Sequence, residues 1–194
     1  MTGAVCGAPL DLLMAWLPGN DEPDRPQIQI ATVDEGGRPD IRTVLLSEWD
    51  AEGFVFHTDA LSRKVGQLAA NPNVAIEVLW PSFTRQLVIR GIAERADQQR
   101  LDRGFAGRSP YLKQLAWQNS TTLAQVGREQ RIEQWRRFQQ EHDPATLAAP
   151  DTWTGYLVRP DRLTFWQSDA DGPSHRVEYR LEPAGTWTEH HLAG

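Results

Sequence analysis

Two adjacent cations at a predicted helix start are the first feature of this sequence with a chemical meaning. Arg63 and Lys64 follow Ser62, a residue type typical of a helix N-cap, and the helical pattern continues to the Asn71–Pro72 pair. Cations at this end oppose the helix dipole, whereas exposed backbone amides there attract anions. A phosphate would satisfy the amides and both side chains through charge-assisted hydrogen bonds. The triplet alone leaves a second interpretation equally open, in which the two cations are simply solvated.

Further polar residues fall near the turns of one predicted sheet. Arg42, Thr58 and the Arg85–Gln86 pair lie on strands of that sheet and favour an anion site over a solvated pair. Glycine-rich nucleotide loops of the Rossmann and Walker types do not occur in the sequence. His57 and the His190–His191 pair lack a Cys or carboxylate cluster at zinc spacing, so no metal site is predicted.

Alternating polar and apolar residues predict that much of the chain is strand. A helix over 9–17 with a linker occupies 1–26, barrel strands occupy 27–96, a helical segment covers 97–141 and C-terminal strands fill 153–192. The predicted strands are 27–34, 41–49, 54–58, 73–80, 85–96, 155–168, 175–182 and 186–192. Short connections favour antiparallel pairing, and about eight strands are most simply closed into a barrel, which removes exposed edges. We therefore expect one mainly β domain with flanking helices.

Composition argues against several kinds of partner. The formal net charge is −6, with 20 Lys plus Arg against 26 Asp plus Glu, so nucleic acid is not expected as a partner. The one cysteine, Cys6, excludes an intrachain disulfide framework. No apolar run approaches the ~20 residues that span a bilayer, and Asp11 interrupts a poor signal-peptide pattern, so a cytoplasmic protein without membrane contact is expected. Eight Trp residues should anchor cores, interfaces or a planar ligand.

The stretch 42–96 resembles pyridoxamine 5′-phosphate oxidase and its relatives, the FMN-binding split barrels. The matching pieces are RTVLLSEWDAEGFVFHTDALSRK, NPNVAIEVLW and RQLVIRG. The pieces WTGYLVRPDRLTFWQ and HRVEY resemble the last strands of that family in sequence and spacing, so the resemblance covers roughly residues 28–192. It implies an antiparallel split β-barrel and a homodimer with FMN at the subunit interface.

The resemblance also implies a set of cofactor-binding residues. The Arg63–Lys64 pair is expected to hold the 5′-phosphate of FMN with help from Thr58, and Gln86 to reach the edge of the isoalloxazine. The Thr121–Thr122 pair falls where the family usually carries a Gln-Ser pair for the second subunit's contact, so that contact is altered. The remaining expected contacts, the last two coming from the partner chain, are Arg42, Val44, Leu45, Trp166 and Arg176.

The positions that resemble the family's substrate site have changed. Ser47 stands where the family has a lysine that grips the substrate phosphate, Gly104 where it has a tyrosine, and Leu112 where it has a serine. Arg108 is the member of that cluster that is kept. The candidate substrate-binding residues on this side are therefore Arg108 and Ser47.

A second substrate segment, near the C-terminus, has also changed. Gly172 and Ser174 replace an arginine and a histidine that cover the pyridine ring in the family, which leaves Ser174 as the candidate there. Lys113 and Arg103 are close enough in sequence to replace the lost cations. The resemblance thus keeps the cofactor residues and loses most substrate residues, so we expect a wider, less cationic pocket.

These observations predict an FMN-dependent oxidoreductase that transfers a hydride from a small molecule to flavin, with oxygen as one acceptor. Pyridoxamine or pyridoxine 5′-phosphate is the substrate that the resemblance implies. Two alternatives stay open: a flavin- or deazaflavin-dependent reductase of another small molecule, and a non-catalytic flavin- or pyridoxal-phosphate-binding protein. Because flavin chemistry needs no nucleophilic side chain, no catalytic residue is predicted.

Overall fold

The computed structural model describes residues 3–194. Its helices are α1 (Ala8–Trp16), α2 (Arg63–Ala70), α3 (Gln98–Ala106), α4 (Pro110–Gln118), α5 (Thr121–Ala124) and α6 (Arg128–Glu141). Its strands are β1 (Gln27–Val33), β2 (Pro39–Leu45), β3 (Glu48–Asp50), β4 (Gly53–Asp59), β5 (Asn73–Leu79), β6 (Arg85–Arg95), β7 (Trp153–Gln167), β8 (His175–Leu181) and β9 (Trp187–Leu192). Among the described residues, no helix is long and apolar enough to cross a membrane.

The strands form one curled antiparallel sheet. Along its main path the strand order is β2-β1-β5-β6-β7-β4-β3. The two ends of this path, β2 and β3, are joined only by Leu46 and Ser47, so the sheet has to curl until its ends meet. Leu46 N–H donates to the Pro26 carbonyl (2.9 Å) and Ser47 N–H to the Val55 carbonyl (2.8 Å), which fixes this crossing. The mainly β, split-barrel fold expected from the sequence is confirmed.

β7 is the strand at which the sheet divides. One of its edges pairs with β6, while the other pairs with β4 over 153–158 and with β8 over 162–167. The β6–β7 register shifts between Arg90 and Gly91, opposite Pro160. A Cβ on Gly91 would collide with the Arg159 carbonyl, so glycine is needed at this bulge. The bulge lets a proline sit inside the longest strand.

Alternate strand positions fill the barrel interior. Ile28 and Ile30 of β1 are fully buried, as their period of two predicts. Helix α1 packs against this core through Trp16, whose ring lies edge-on to Trp80 and Phe165 at centre distances of 5.4 and 5.1 Å. Helices α3 to α6 fall between β6 and β7 in the chain, where the helical segment was predicted.

One local prediction is wrong, and a second is right in position only. The strand predicted over 41–49 is broken, since β2 ends at Leu45 and β3 begins at Glu48, because the chain crosses there from one end of the sheet to the other. Ser62 occupies the N-cap position of α2, but its hydroxyl makes no capping bond to the helix backbone. It accepts a hydrogen bond from the Lys64 ammonium instead.

Candidate functional site

Lys64 is held in a fixed position at the start of α2. Its Nζ donates to Thr58 Oγ1 on β4 (3.0 Å) and to Ser62 Oγ (2.6 Å). Burial, followed by the nearby Arg42 guanidinium, lowers the pKa of Lys64. An ammonium has three N–H donors, so one remains for a ligand. The structure thus presents an oriented cation with free donor capacity.

Backbone amides and a second cation lie beside Lys64. Because the Ser62 hydroxyl does not cap α2, the first amides of this helix receive no side-chain acceptor from that position. The Arg63 side chain is 82% exposed, and its Nη1 lies 3.7 Å from Asp40 Oδ2. This combination of an oriented ammonium, an exposed guanidinium and helix-start amides suits a phosphate monoester.

Arg42 lies behind this cation pair in a network of its own. Its guanidinium donates to Thr32 Oγ1 (2.6 Å), to Asp40 Oδ2 (2.6 Å) and to Gln67 Oε1 (2.9 Å). Thr32 in turn donates to Gln67 (2.6 Å). The network ties β1 and β2 to α2, so Arg42 supports the helix start and does not line the adjacent cavity.

A cavity of about 380 Å³ opens in front of the helix start, and we call it the Lys64 cavity. Its lining includes seven of the residues predicted from the sequence, which are Val44, Leu45, Thr58, Arg63, Lys64, Arg108 and Thr121. Thr121 is the first residue of α5, whereas the predicted neighbour Thr122 is not part of the lining. Three elements that are distant in sequence, β2, α2 and α5, therefore converge within one chain. The position of Thr121 differs from the expectation that its pair serves the second subunit's contact.

Three other predicted residues form a second cluster on the sheet. In the strand register Gln86 of β6 pairs with Trp166 of β7, which pairs with Arg176 of β8. Directly paired residues face the same side of a sheet, so their side chains form one row. Gln86 also donates to Glu77, and Trp166 packs on Phe83 with ring centres 4.6 Å apart.

The second cluster is separated from the Lys64 cavity along β7. Thr58 pairs with Thr154 near the start of this strand, whereas Trp166 lies near its end. Twelve residues of strand extend about 40 Å along the chain, and none of Gln86, Trp166 and Arg176 lines the Lys64 cavity. One chain therefore does not assemble all the predicted cofactor residues in one place.

The predicted substrate residues are divided in the same way. Arg108 lines both the Lys64 cavity and a larger adjoining cavity of about 1000 Å³, which Ser47 also lines and which we call the Ser47 cavity. The two cavities share Leu45, Arg108 and Leu112. Ser174 lies in the loop before β8, against the C-terminal Gly194 and close in sequence to Arg176.

His57 lines the Lys64 cavity, and the sequence left its role open. It is buried, and its ring stacks on Trp153 with centres 4.8 Å apart and planes 7° from parallel. Its Nδ1 lies 2.8 Å from Ser47 Oγ and its Nε2 lies 3.2 Å from the Arg100 carbonyl oxygen. Burial, with a smaller effect of the Arg108 charge, lowers the pKa of His57 to about 4, so the ring is neutral at pH 7.

Gly104 is the sequence signal that could have pointed to His57. A Cβ at position 104 would collide with the imidazole, so the ring occupies the space that a side chain on α3 would otherwise fill. The glycine and the histidine are 47 positions apart in the chain. Their contact is tertiary, and a single sequence gives no direct evidence for it.

Comparisons with known proteins agree along most of the chain. A family model described as pyridoxamine 5′-phosphate oxidase matches residues 22–137. A second, described as the pyridoxine 5′-phosphate oxidase C-terminal dimerisation region, matches residues 153–194. A pyridoxine/pyridoxamine 5′-phosphate oxidase of Actinobacillus succinogenes is 38% identical over 156 residues, covering 80% of this chain and 73% of that protein. The corresponding protein of Alcanivorax borkumensis is 33% identical over 188 residues, covering 95% and 90%.

Solved structures show the same fold. PhzG from Burkholderia lata 383, solved in complex with tetrahydrophenazine-1-carboxylic acid, superposes with a TM-score of 0.80 at 21% identity over 100% of both chains. A pyridoxamine 5′-phosphate oxidase-related, FMN-binding protein of Nostoc punctiforme superposes with a TM-score of 0.68 at 19% identity, covering 87% of each chain. At these identities the likeness concerns the fold.

Proposed function

This chain belongs to the pyridoxamine 5′-phosphate oxidase family, and from that premise we propose that it is an FMN-dependent oxidoreductase of a small molecule. The observation that carries the proposal is the Lys64 ammonium, which Thr58 and Ser62 hold beside the uncapped start of α2. Its remaining donor and the helix-start amides fit the phosphate end of FMN. The Lys64 cavity continues from there along Val44 and Leu45, which fits the planar end of the same molecule.

Each element of the chain would have a separate task in this site. Lys64 fixes the phosphate, Arg63 neutralises its second charge, and the Arg42 network keeps α2 in place behind them. The apolar side chains of Val44 and Leu45 exclude water from the ring. When bound, FMN supplies the hydride acceptor, with oxygen as one final oxidant. The protein needs no nucleophile of its own for this chemistry.

We propose that the working unit is a homodimer. The second cluster, Gln86, Trp166 and Arg176, is separated from the Lys64 cavity along β7. Trp166 and Arg176 also fall within residues 153–194, which match a dimerisation region. In a two-fold pair the second cluster of one subunit can complete the Lys64 cavity of the other. This arrangement would place FMN between the subunits.

Pyridoxamine 5′-phosphate is expected to be a poor substrate. Arg103 lines the Ser47 cavity but is bound to Glu48, with Nη2 3.2 Å from Oε1. Lys113 lines neither cavity and donates to the Ala145 carbonyl (3.1 Å). Arg25 also lines the Ser47 cavity, but its guanidinium donates to the carbonyl oxygens of Gly19 and Leu46. Arg108 is therefore the main cation left for a phosphate on the substrate side, and we expect a Michaelis constant above the ~1 μM–1 mM range usual for enzymes on their own substrates.

The test is the spectrum of the purified protein and its response to substrates. We expect a yellow protein, or one that becomes yellow with added FMN, whose flavin absorbance bleaches anaerobically with a competent substrate and returns with air. The matched control is Lys64→Ala, which should stay folded and lose the colour. A wild-type protein that binds no FMN would contradict the cofactor, and a bound flavin that no reductant or substrate bleaches would favour a non-catalytic carrier.

A further inference from the structure

We propose that Arg108 and the Ser47–His57 pair form a subsite for a planar carboxylate that also carries a hydrogen-bond donor. This inference rests on the proposed FMN-dependent function and names the substrate class of that site. Three features support it, which are the charge of Arg108, the excess of carboxylates over cations in the lining of the Ser47 cavity, and the direction of the Ser47 hydroxyl.

Arg108 is a half-buried guanidinium that faces both cavities. Its central carbon lies 4.5 Å from the centre of the Trp153 ring, so the cation rests on the aromatic face. Burial lowers the pKa of Arg108 to about 10, and no carboxylate in the described chain offsets this. A buried cation without a counter-charge is unfavourable unless an anion joins it. A carboxylate matches the planar Arg108 guanidinium, because its two oxygens can accept two parallel hydrogen bonds from it.

The surroundings favour one negative charge over two. Arg103 is paired with Glu48, and Lys113 points away from both cavities. On its other side the Ser47 cavity is lined by the acidic linker residues Asp21, Glu22 and Asp24 and by Arg25, whose guanidinium donates to the carbonyl oxygens of Gly19 and Leu46. A phosphate dianion there would meet more carboxylates than cations, whereas a monoanion at Arg108 is balanced. Leu112 and Leu45 supply apolar walls for a planar body.

The Ser47 hydroxyl is directed by His57. The Arg100 carbonyl oxygen can only accept, so the His57 Nε2 that lies 3.2 Å from it carries the hydrogen. In a neutral ring Nδ1 is then an acceptor, and Ser47 Oγ, 2.8 Å away, donates to it. Ser47 therefore offers only lone pairs to the Ser47 cavity. A ligand that fits must bring an N–H or O–H group.

The His57–Ser47 pair is held in a fixed position, in addition to having a defined hydrogen-bond direction. Stacking on Trp153 fixes the His57 plane, and the absence of a side chain at Gly104 gives the ring its space. A preorganised acceptor lowers the entropy lost on binding and penalises a ligand without a donor, because the lone pairs lose water without a replacement. The subsite thus discriminates by chemistry as well as by size.

The test compares three probes on the FMN-loaded protein: 2-aminobenzoate, benzoate and phenyl phosphate. Dissociation constants come from calorimetry, and each titration is repeated without FMN. We expect 2-aminobenzoate to bind about 2- to 12-fold tighter than benzoate, the equivalent of one neutral hydrogen bond, and phenyl phosphate to bind weakest. Ser47→Ala should make the two carboxylates equal. Arg108→Gln should weaken both by about 10- to 150-fold.

The control is Arg103→Gln, which removes a cation from the same cavity that is already paired with Glu48 and should leave both carboxylate affinities within about twofold. Retained FMN affinity shows that each variant is folded. Tightest binding of phenyl phosphate, no carboxylate binding, or an unchanged ratio of the two carboxylates in Ser47→Ala would overturn the inference. Failure to bind FMN, with the carboxylate preference intact in the FMN-free protein, would instead contradict the proposed cofactor and leave the subsite supported.

Discussion

Replacing Lys64 by alanine is expected to weaken FMN binding far more than replacing Arg63. Both residues were assigned to the phosphate from the sequence, but the structure places them differently. Lys64 is half-buried and held by Thr58 and Ser62, whereas the Arg63 side chain is 82% exposed. A held, partly desolvated ammonium is pre-organised for a ligand, while an exposed guanidinium is screened by water and salt.

The magnitudes follow from this difference in burial. One charge-assisted hydrogen bond contributes about 1.5–3 kcal/mol, so Lys64→Ala should raise the FMN dissociation constant by about 10- to 150-fold. An exposed ionic contact contributes about 0.2–1 kcal/mol, so Arg63→Ala should raise it by about 1.4- to 5-fold. Raising the salt concentration should reduce the Arg63 effect more than the Lys64 effect.

The assay is titration of FMN by the quenching of its fluorescence, with thermal unfolding as the check on folding. The matched control is Arg136→Ala with Arg137→Ala, which removes two adjacent cations from the exposed face of α6. That double variant should bind FMN as the parent does. An Arg63→Ala effect as large as that of Lys64→Ala, or a Lys64→Ala effect below about threefold, would refute the reasoning from burial.

Three further outcomes are expected. Mixing equal amounts of Lys64→Ala and Arg176→Ala chains should restore about a quarter of the FMN sites, because half the dimers are mixed and each has one intact site; a monomer at micromolar concentration would contradict this. Gly104→Ala should destabilise the fold by about 1–3 kcal/mol through collision with His57, measured as a lower Tm, whereas Gly107→Ala, where a Cβ meets only an ordinary 3.5 Å contact, should not. The pKa of His57 falls from 6.5 to about 4 on folding, so the unfolded chain binds the proton first and stability drops as pH falls through this window. Urea unfolding should show about 2 kcal/mol less stability at pH 5 than at pH 7 from this group, a loss absent in His57→Phe.

The sheet could be predicted because its evidence is local. The alternation in 27–33 gives β1 directly, and Ile28 and Ile30 are buried as that pattern requires. The break after Leu45 could not be predicted in this way. Apolar residues continue through Leu46. The interruption arises because Leu46 bonds to Pro26, just before β1, whereas Ser47 bonds to Val55 of β4.

The candidate site was predictable to the extent that it resembles a known family. The Arg63–Lys64 pair and Thr58 lie around one cavity, as a shared phosphate site requires, and Thr121 lines the same cavity. The grouping of Gln86, Trp166 and Arg176 at a distance from it follows from strand register, which one sequence does not give. The interaction of His57 with Ser47 depends on tertiary packing. On the substrate side the sequence therefore showed only which family residues are replaced.

Because the two parts of the site lie apart along β7, the FMN content of the protein should depend on dimerisation. If each Lys64 cavity needs the second cluster of another subunit, then dilution below the dimer dissociation constant should release FMN. FMN binding and dimer stability would then be linked. The apparent affinity for FMN would rise with protein concentration, and the stability of the dimer would rise with FMN concentration. Sedimentation with and without FMN measures this linkage.

The most direct measurement is a crystal structure of the FMN complex. We expect the phosphate within hydrogen-bond distance of Lys64 Nζ and of the first amides of α2, with Trp166 and Arg176 reaching the same FMN from the other subunit. An FMN whose phosphate lies away from Lys64, or whose Trp166 contact comes from the same chain, would contradict this expectation.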